Sequence, residues 1–273
     1  VRRRWLSEAE YADLVALCQF LPGPASSQVG IAIGQLRAGV PGAVAAWVGF
    51  TLPSVLLLYV VALGAGLWQG VVAQGVLHGL KLAALAVVAQ AVWQMSLRLT
   101  PDWPRRLLAL GVAAIILVTP WPAISVVVIA LSAAGGALAS RPASQTKVPT
   151  AAGRPHPLAL AALAAALVLL VALPVLAALT GNPVLDIADR FYRSGALVFG
   201  GGHVVLPLLQ GELVETGLID RDLFLAGYGA AQAVPGPLFS FAFYAGMLLR
   251  RPPNGVGGGL LALGAIYLPS FLL

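Results

Sequence analysis

The chain has 273 residues, of which 59% are hydrophobic and only 10% are charged, and its formal net charge is +6. Soluble domains carry about 25% charged residues, so this composition excludes an ordinary soluble protein. Several apolar runs reach the roughly 20 residues that a helix needs to cross a bilayer. They are rich in Ala, Leu, Val and Gly, unlike the alternating strands of an outer-membrane barrel. The sequence therefore predicts an all-α polytopic membrane protein.

The basic residues stand in short clusters between the apolar runs, such as Arg2–Arg4 and Arg250–Arg251. Clusters of this kind usually fix the orientation of a membrane protein. They form no basic stripe on a soluble face, so nucleic-acid binding is not predicted. The single Cys18 excludes an internal disulfide and a thiolate metal cluster.

The first element is a helix that is interrupted by proline. Ser7 and Glu10 form a capping-box pattern, which predicts a helix that begins at Ser7 and runs to about Leu21. Pro22-Gly23-Pro24 breaks it, and a second arm runs from Pro24 to about Arg37. Each arm is about 20 Å long, too short for a hydrocarbon core of about 30 Å. The pair is either one broken span or a re-entrant hairpin, and the sequence does not choose between them.

Further apolar segments follow along the chain. The predicted segments are Pro41–Leu67, Gly70–Leu97, the shorter Arg105–Val118 and Trp121–Ser140, Leu158–Leu179, the amphipathic Asn182–Ser194, the glycine-interrupted Leu197–Leu209, Asp220–Val234, Pro237–Leu249 and Gly257–Leu273. A polar, proline-rich stretch separates the two groups and is typical of a linker. The predicted domains are a first transmembrane repeat at 1–140, a linker at 141–157 and a second repeat at 158–273.

An internal duplication connects the two groups. The aligned pairs are Ser7 with Asp220, Gln19 with Gln232, Pro22–Pro24 with Pro235–Pro237, Ser27 with Ser240, Arg37 with Arg250 and, after a short insertion, Leu52–Ser54 with Leu268–Ser270. Two Gly/Pro-interrupted segments in matching places point to the binding site of a transporter, although a proline kink can also adjust helix packing. The counterparts of several segments fall outside residues 1–273, so the chain is expected to be part of a longer two-repeat protein.

The broken helices are the first candidate for an anion site. A helix that begins after Pro24 offers free N–H groups and the positive end of its dipole. The glycines before His203 could form an anion nest, or they could serve close helix packing. The candidate substrate-binding residues are Gln19, Pro22, Gly23, Pro24, Ser26, Ser27, Lys81, Gly200, Gly201, Gly202, His203, Gln232, Pro235, Gly236, Pro237 and Ser240.

Three titratable residues complete the candidate set. Lys81 stands deep inside an apolar run, where a charge is costly and indicates function by default. His78 lies on the same helix face and could titrate with it, although both side chains could instead snorkel to the interface. Asp13 is the deepest acid of its helix. His78 and Asp13 are therefore the candidates for ion or proton coupling, with helix-dipole complementation as the alternative for Asp13.

The proline- and glycine-rich motifs resemble the signatures of a known family. "FLPGPASSQVGIAIGQLRAGVPGA" at Phe20–Ala43, "FGGGHVVLPLLQGELVETG" at Phe199–Gly217 and "AQAVPGPLFSFAFYAG" at Ala231–Gly246 are similar to those of the chromate ion transporter (CHR) family. The resemblance implies a multi-pass protein of the bacterial or archaeal inner membrane, with two homologous halves of opposite orientation. It also implies export of chromate, coupled to an ion or proton gradient.

The broken helices predict a secondary anion transporter, and the family resemblance implies that the anion is a tetrahedral oxyanion. Two all-α inverted repeats, each with a PGP-broken helix, would rock around a chromate or sulfate ion, in contact with membrane lipid. Another anion transporter or a non-transporting membrane scaffold stays the alternative, and a homodimer is left open. No catalytic triad, P-loop or metal-binding spacing is present, so no enzyme activity, cofactor or metal is predicted.

Overall fold

The computed structural model describes residues 5–64, 71–100, 102–119, 128, 131–132, 135, 157–198 and 205–273. Every regular segment in these ranges is helical. The helices are α1 Glu8–Phe20, α2 Ala25–Gly64, α3 Val71–Leu99, α4 Trp103–Val118, α5 Pro157–Thr180, α6 Pro183–Ala196, α7 Val205–Leu209, α8 Arg221–Ala233, α9 Phe241–Met247 and α10 Gly255–Leu272. A π-turn at Gln210–Val214 continues α7, and a 3₁₀ turn at Leu238–Ser240 precedes α9.

Three of the described helices, namely α2, α5 and α10, are long and apolar enough to cross a membrane. The chain is therefore an all-α membrane protein. It forms two compact units, one of Val1–Val88 with His156–Leu273 and one of Ala89–Pro155. The division into repeats at 1–140 and 158–273 stays a prediction, and the linker at 141–157 lies, except for Pro157, outside the described residues.

Helix α2 consists of two arms that fold back on each other. Ala38 and Gly39 leave the helical conformation, and Gly39 has a φ of 63°, a value that favours glycine. A methyl group at Gly34 would collide with the carbonyl of Gly42, so the arms at 25–37 and 40–64 touch closely beside the turn. They correspond to the predicted arm that ends at Arg37 and the predicted span that follows it.

Polar caps fix the starts of α1 and α8. Ser7 accepts a hydrogen bond from the N–H of Glu10 at 3.2 Å, and its own N–H donates to Glu10 Oε2 at 2.8 Å. The predicted capping box is confirmed. Asp220 caps α8 in the aligned position, where its Oδ1 accepts from the N–H of Asp222 at 2.8 Å. Each cap satisfies N–H groups that the first helical turn leaves without a partner.

Both helices end before a Pro-Gly-Pro loop. α1 ends at Phe20 and α2 begins at Ala25, so Pro22–Pro24 forms a loop that we call tip 1. α8 ends at Ala233, and Pro235–Pro237, called tip 2, precedes the 3₁₀ turn and α9. We call α1, tip 1 and the first arm of α2 the first hairpin, and α8, tip 2 and α9 the second hairpin.

The arms of each hairpin run back alongside each other. The guanidinium carbon of Arg37 lies 5.5 Å from the ring centroid of Trp5, although two arms in line would separate these residues by about 48 Å. In the second hairpin, Arg250 lies 3.4 Å from Asp220 Oδ2 and its N–H donates to the carbonyl of Leu218 at 2.9 Å. Of the two arrangements that the sequence left open, the first helix pair therefore forms a hairpin.

The second half supplies most of the core. Tyr228, Phe241 and Tyr267 are fully buried within it. The predicted amphipathic segment Asn182–Ser194 forms α6. This helix packs closely on α10, as shown by the carbonyl of α10 with which a methyl group at Gly195 would collide. This packing holds α6 and the second hairpin around one apolar centre.

Candidate functional site

Each tip lies against a serine of the other half of the chain. A Cβ atom on Gly23 would lie 2.7 Å from Ser270 Oγ, and one on Gly236 would lie 2.6 Å from Ser54 Oγ. The φ angles of the two glycines are +124° and +145°, which side chains rarely adopt. Ser54 and Ser270 are themselves aligned residues, so the two halves exchange equivalent contacts.

Backbone groups tie tip 1 to the start of the glycine-rich segment. The N–H of Gly23 donates to the carbonyl of Val198 at 2.7 Å. Gln28, which is 4% exposed, donates through Nε2 to the carbonyl of Pro22 at 2.8 Å. Val198 directly precedes residues 199–204, which lie outside the described ranges. The last described residue before the glycine-rich segment therefore lies beside tip 1.

Tip 2 uses its own polar groups internally. The Ser240 hydroxyl donates to the carbonyl of Pro237 at 2.7 Å, and the Ser240 N–H donates to the same carbonyl at 3.0 Å. The hydroxyl of Ser54 donates to the carbonyl of Thr51 at 2.8 Å. Because a serine has one hydroxyl proton, neither Ser240 nor Ser54 can donate to a ligand in this arrangement. The two tips therefore differ chemically.

The structure separates the predicted side chains of the first hairpin. Ser27 is buried, and its hydroxyl lies 3.4 Å from that of Tyr267 on α10, so the two share a hydrogen bond. Ser26 is exposed, and so are Gln19 at the end of α1 and Asp13 in its middle. Of these four polar residues, the fold thus brings only Ser27 into the contact between the halves.

The other predicted residues lie near the second hairpin or outside the described part of the chain. Gln232 is half-buried, one turn before tip 2. His78 is exposed, and the side chain of Lys81 is not among the described groups. Leu80, the residue before Lys81, contacts α8, because a methyl group on Gly229 would collide with the Leu80 carbonyl. Gly200, Gly201, Gly202 and His203 lie outside the described residues.

Several polar residues around the tips were not predicted as site residues. Gln28, Thr51, Tyr267 and the serines at 54 and 270 belong to this group. The alignment of Leu52–Ser54 with Leu268–Ser270 was the signal that could have identified the two serines. No local pattern identifies the others, because their neighbours come from distant parts of the chain.

The hairpins and the helices that contact them contain several buried polar atoms. Among the described residues, six buried atoms of the hairpins and of the helices they contact make no hydrogen bond of good geometry, namely Gln28 Oε1, Trp47 Nε1, Thr51 Oγ1, Tyr228 OH, Gln232 Nε2 and Ser270 Oγ. Of these, Tyr228 lies beside Gln232 and Thr51 lies beside Tyr267. A buried polar group without a partner is costly, so such groups usually face water or a ligand. Five of the six atoms can donate a hydrogen bond, which suits an anion.

Comparison with known proteins identifies the family. The family model described as "Chromate transporter" matches residues 1–139 and 185–273. A probable chromate transport protein of Synechococcus elongatus is 27% identical over 99% of this chain and 66% of its own length. Chromate transport proteins of Pseudomonas aeruginosa and Cupriavidus metallidurans are 29% and 26% identical, over 63% and 64% of their own lengths.

The chain spans slightly less than two thirds of the length of these curated relatives. No solved structure shows a significant match. The family model covers well over half of the chain, on both sides of the predicted linker, and includes both tips. The chain belongs to the chromate transporter family.

Proposed function

We propose that this chain forms the transport path of a secondary transporter that exports chromate across the inner membrane. The observation that carries the proposal is the reciprocal contact of Gly23 with Ser270 and of Gly236 with Ser54. Contacts of this kind join the broken segments of two repeats, where transporters of this architecture bind their substrates. The names of the relatives supply the substrate, since two of them are chromate transport proteins and a third is a probable one.

The two halves act as inverted repeats in this proposal. The arms of the first hairpin are about 20 Å long, so tip 1 reaches only part of the way through the hydrocarbon core. The second hairpin, entering from the opposite side, brings tip 2 to the same depth. Irregular backbone at that depth has to face protein or a wet cavity, which agrees with the buried, unsatisfied polar atoms of the hairpins and of the helices that contact them.

Neutral donors bind the dianion in this site. Ser270, Thr51 and Tyr228 offer hydroxyl protons, and the first turn of α2 offers the N–H groups of Ala25 and Ser26. A hydrogen bond to a charged group contributes about 1.5–3 kcal/mol, so a few of them hold an oxyanion without trapping it. Lys81 is proposed to offset its charge and the glycines before His203 to add a backbone nest. Export follows when the two repeats rock about the bound ion.

The experiment is chromate flux in proteoliposomes of the full-length protein, with sulfate as competitor and an imposed pH gradient. Gly23→Ala is expected to abolish flux, because residues with a side chain rarely adopt its φ of +124° and the added methyl group would displace Ser270 Oγ and Gln28 Nε2. Gly49→Ala is the matched control, since nothing lies within 4 Å of the added methyl group. It is expected to transport like the unmodified protein.

The outcomes separate the alternatives. Chromate flux that sulfate does not inhibit supports a chromate transporter, whereas equal competition widens the substrate class to tetrahedral oxyanions. Absence of flux of either anion, from protein that elutes as a folded species, contradicts the proposal and favours a non-transporting scaffold. Equal flux in Gly23→Ala and Gly49→Ala would remove tip 1 from the transport path.

A further inference from the structure

Helix α6 carries a buried carboxylate that the proposed transport path does not use. Asp189 is 4% exposed, and its Oδ2 accepts a hydrogen bond from an Arg193 guanidinium nitrogen at 2.8 Å. Its other oxygen, Oδ1, has no hydrogen-bond partner among the described residues. Arg193 also lies 3.5 Å from Glu212 of the π-turn. Asp189 is therefore a buried acid with only one of its two oxygens satisfied.

The ion cluster around Asp189 holds more carboxylates than cations. Arg190 lies 3.1 Å from Asp186 and 3.3 Å from Glu212. Together with Asp189 and Arg193, these residues make three carboxylates and two guanidinium groups, a net charge of −1. Helices α5, α7 and α10, which pack against α6, carry no charged side chain. Binding of one proton would therefore neutralise the cluster.

Burial selects the carboxylate that takes this proton. The side chain of Asp186 is 43% exposed and that of Glu212 is 27% exposed, but that of Asp189 is only 5% exposed. Water stabilises the charge of the first two. Burial raises the pKa of Asp189, and the neighbouring Arg193 only partly opposes this shift.

A cavity connects Asp189 to the surface. Its volume is about 420 Å³, and its lining includes Ala178 at the end of α5, Asp186, Asp189 and Arg251. Arg251 is exposed at the rim, where solvent screens its charge. The Asp189 carboxyl group thus borders a cavity through which a proton can reach it and leave again.

We propose that Asp189 is the residue whose reversible protonation couples transport to a pH gradient. This inference rests on the proposed transport function. The route to the substrate is short, because Arg193 stands little more than one helical turn before Val198, whose carbonyl accepts the N–H of Gly23 in tip 1. When Oδ1 binds a proton, Asp189 loses the charge that holds Arg193, and the end of α6 is free to shift against tip 1.

The first test reads the proton directly, without any substrate. A pH-difference infrared spectrum of the purified full-length protein is expected to contain a carboxylic-acid C=O band that disappears in Asp189→Asn. The control is Glu215→Gln, which removes an exposed carboxylate close to the same π-turn, and this variant is expected to keep the band. A band that survives in Asp189→Asn would overturn the assignment.

The second test separates coupling from transport. With the membrane potential clamped at zero, one coupled proton allows about tenfold chromate accumulation for each pH unit of gradient. Asp189→Asn is expected to exchange chromate for chromate but to accumulate none, a ratio of one. Asp189→Glu keeps a titratable group and is expected to restore accumulation, which also shows that loss in the asparagine variant is not a folding defect.

The remaining outcomes are distinct. Tenfold accumulation in Asp189→Asn would refute the coupling role. Accumulation in the unmodified protein that follows a sodium gradient and ignores pH would refute it as well. Absence of chromate exchange in the unmodified protein would instead contradict the proposed function, while the infrared band would still decide whether Asp189 binds the proton.

Discussion

The contact between tip 2 and α2 makes a quantitative prediction for Gly236→Ala. A Cβ atom at this position would lie 2.6 Å from Ser54 Cβ, which is fixed to the helix backbone and cannot move aside. Overpacking of this kind costs about 1–3 kcal/mol. The φ of +145° adds strain of about 1–3 kcal/mol for a residue with a side chain. The free energy of unfolding is therefore expected to fall by about 2–6 kcal/mol.

A double-mutant cycle isolates the contact from the backbone strain. Ser54→Gly opens the space but loses the hydrogen bond to the Thr51 carbonyl, at a cost of about 1 kcal/mol. In the double variant the overpacking disappears and only the strain stays, so the coupling free energy between Gly236→Ala and Ser54→Gly is expected to be about 1–3 kcal/mol. Equilibrium unfolding in mixed micelles of increasing SDS content, followed by tryptophan fluorescence, measures all four proteins.

The control for this cycle is Gly49→Ala, because the added methyl group meets nothing within 4 Å. It lies in the helical second arm of α2, so alanine is expected to maintain or raise stability by up to about 1 kcal/mol. If Gly236→Ala and Ser54→Gly add to within about 0.5 kcal/mol, tip 2 does not lie on Ser54 and the reciprocal arrangement of the tips is refuted.

Three further predictions concern the hairpins and α6. Ser27→Ala is expected to lower the free energy of unfolding by about 1 kcal/mol, because the hydrogen bond of its buried hydroxyl is lost. Ser26→Ala, at the exposed neighbouring position, is expected to change the free energy of unfolding by less than about 0.5 kcal/mol. Equal losses for the two variants in SDS unfolding would contradict this prediction. Asp220→Ala is expected to lower the free energy of unfolding by about 1 kcal/mol, because the cap of α8 is lost. Arg250→Gln is expected to lower it by less, since exposed ion pairs contribute about 0–1 kcal/mol. A larger loss for Arg250→Gln would show that the ion pair, and not the cap, stabilises the base of the second hairpin. The pKa of Asp189 is raised in the folded protein, so protonation of this residue favours the folded state. The free energy of unfolding is therefore expected to fall as the pH rises from the ordinary aspartate range through the raised pKa. The same fall in Asp189→Asn would assign the pH dependence to another group.

Local patterns were sufficient for the ends of the helices. The capping box at Ser7 and the aligned cap at Asp220 depend on residues within one turn, and the Pro-Gly-Pro loops follow from the geometry of proline itself. The turn at Ala38–Gly39 lies where the predicted arm ended. Each of these features is determined by neighbours in the sequence, which is why the pattern was informative.

Contacts between distant residues could not be predicted in the same way. The hairpin was distinguished from a broken span by Trp5 and Arg37, whose proximity depends on the packing of two whole arms. The partner of each tip depends on which serine the other half presents at that depth. The internal use of the Ser240 hydroxyl depends on the 3₁₀ geometry of its turn. The sequence pattern therefore predicted Ser240 as a substrate-binding residue and did not identify Gln28.

The shortness of the hairpin arms has a consequence for biosynthesis. α1 and α8 each have 13 residues, carry acidic residues in their first turns and fall well short of the roughly 20 apolar residues that a segment needs to span the bilayer alone. Neither can be released sideways into lipid as an independent segment. Each is expected to enter the bilayer only together with its partner arm. The order in which the ribosome delivers the two arms thus becomes part of how this protein reaches its folded state.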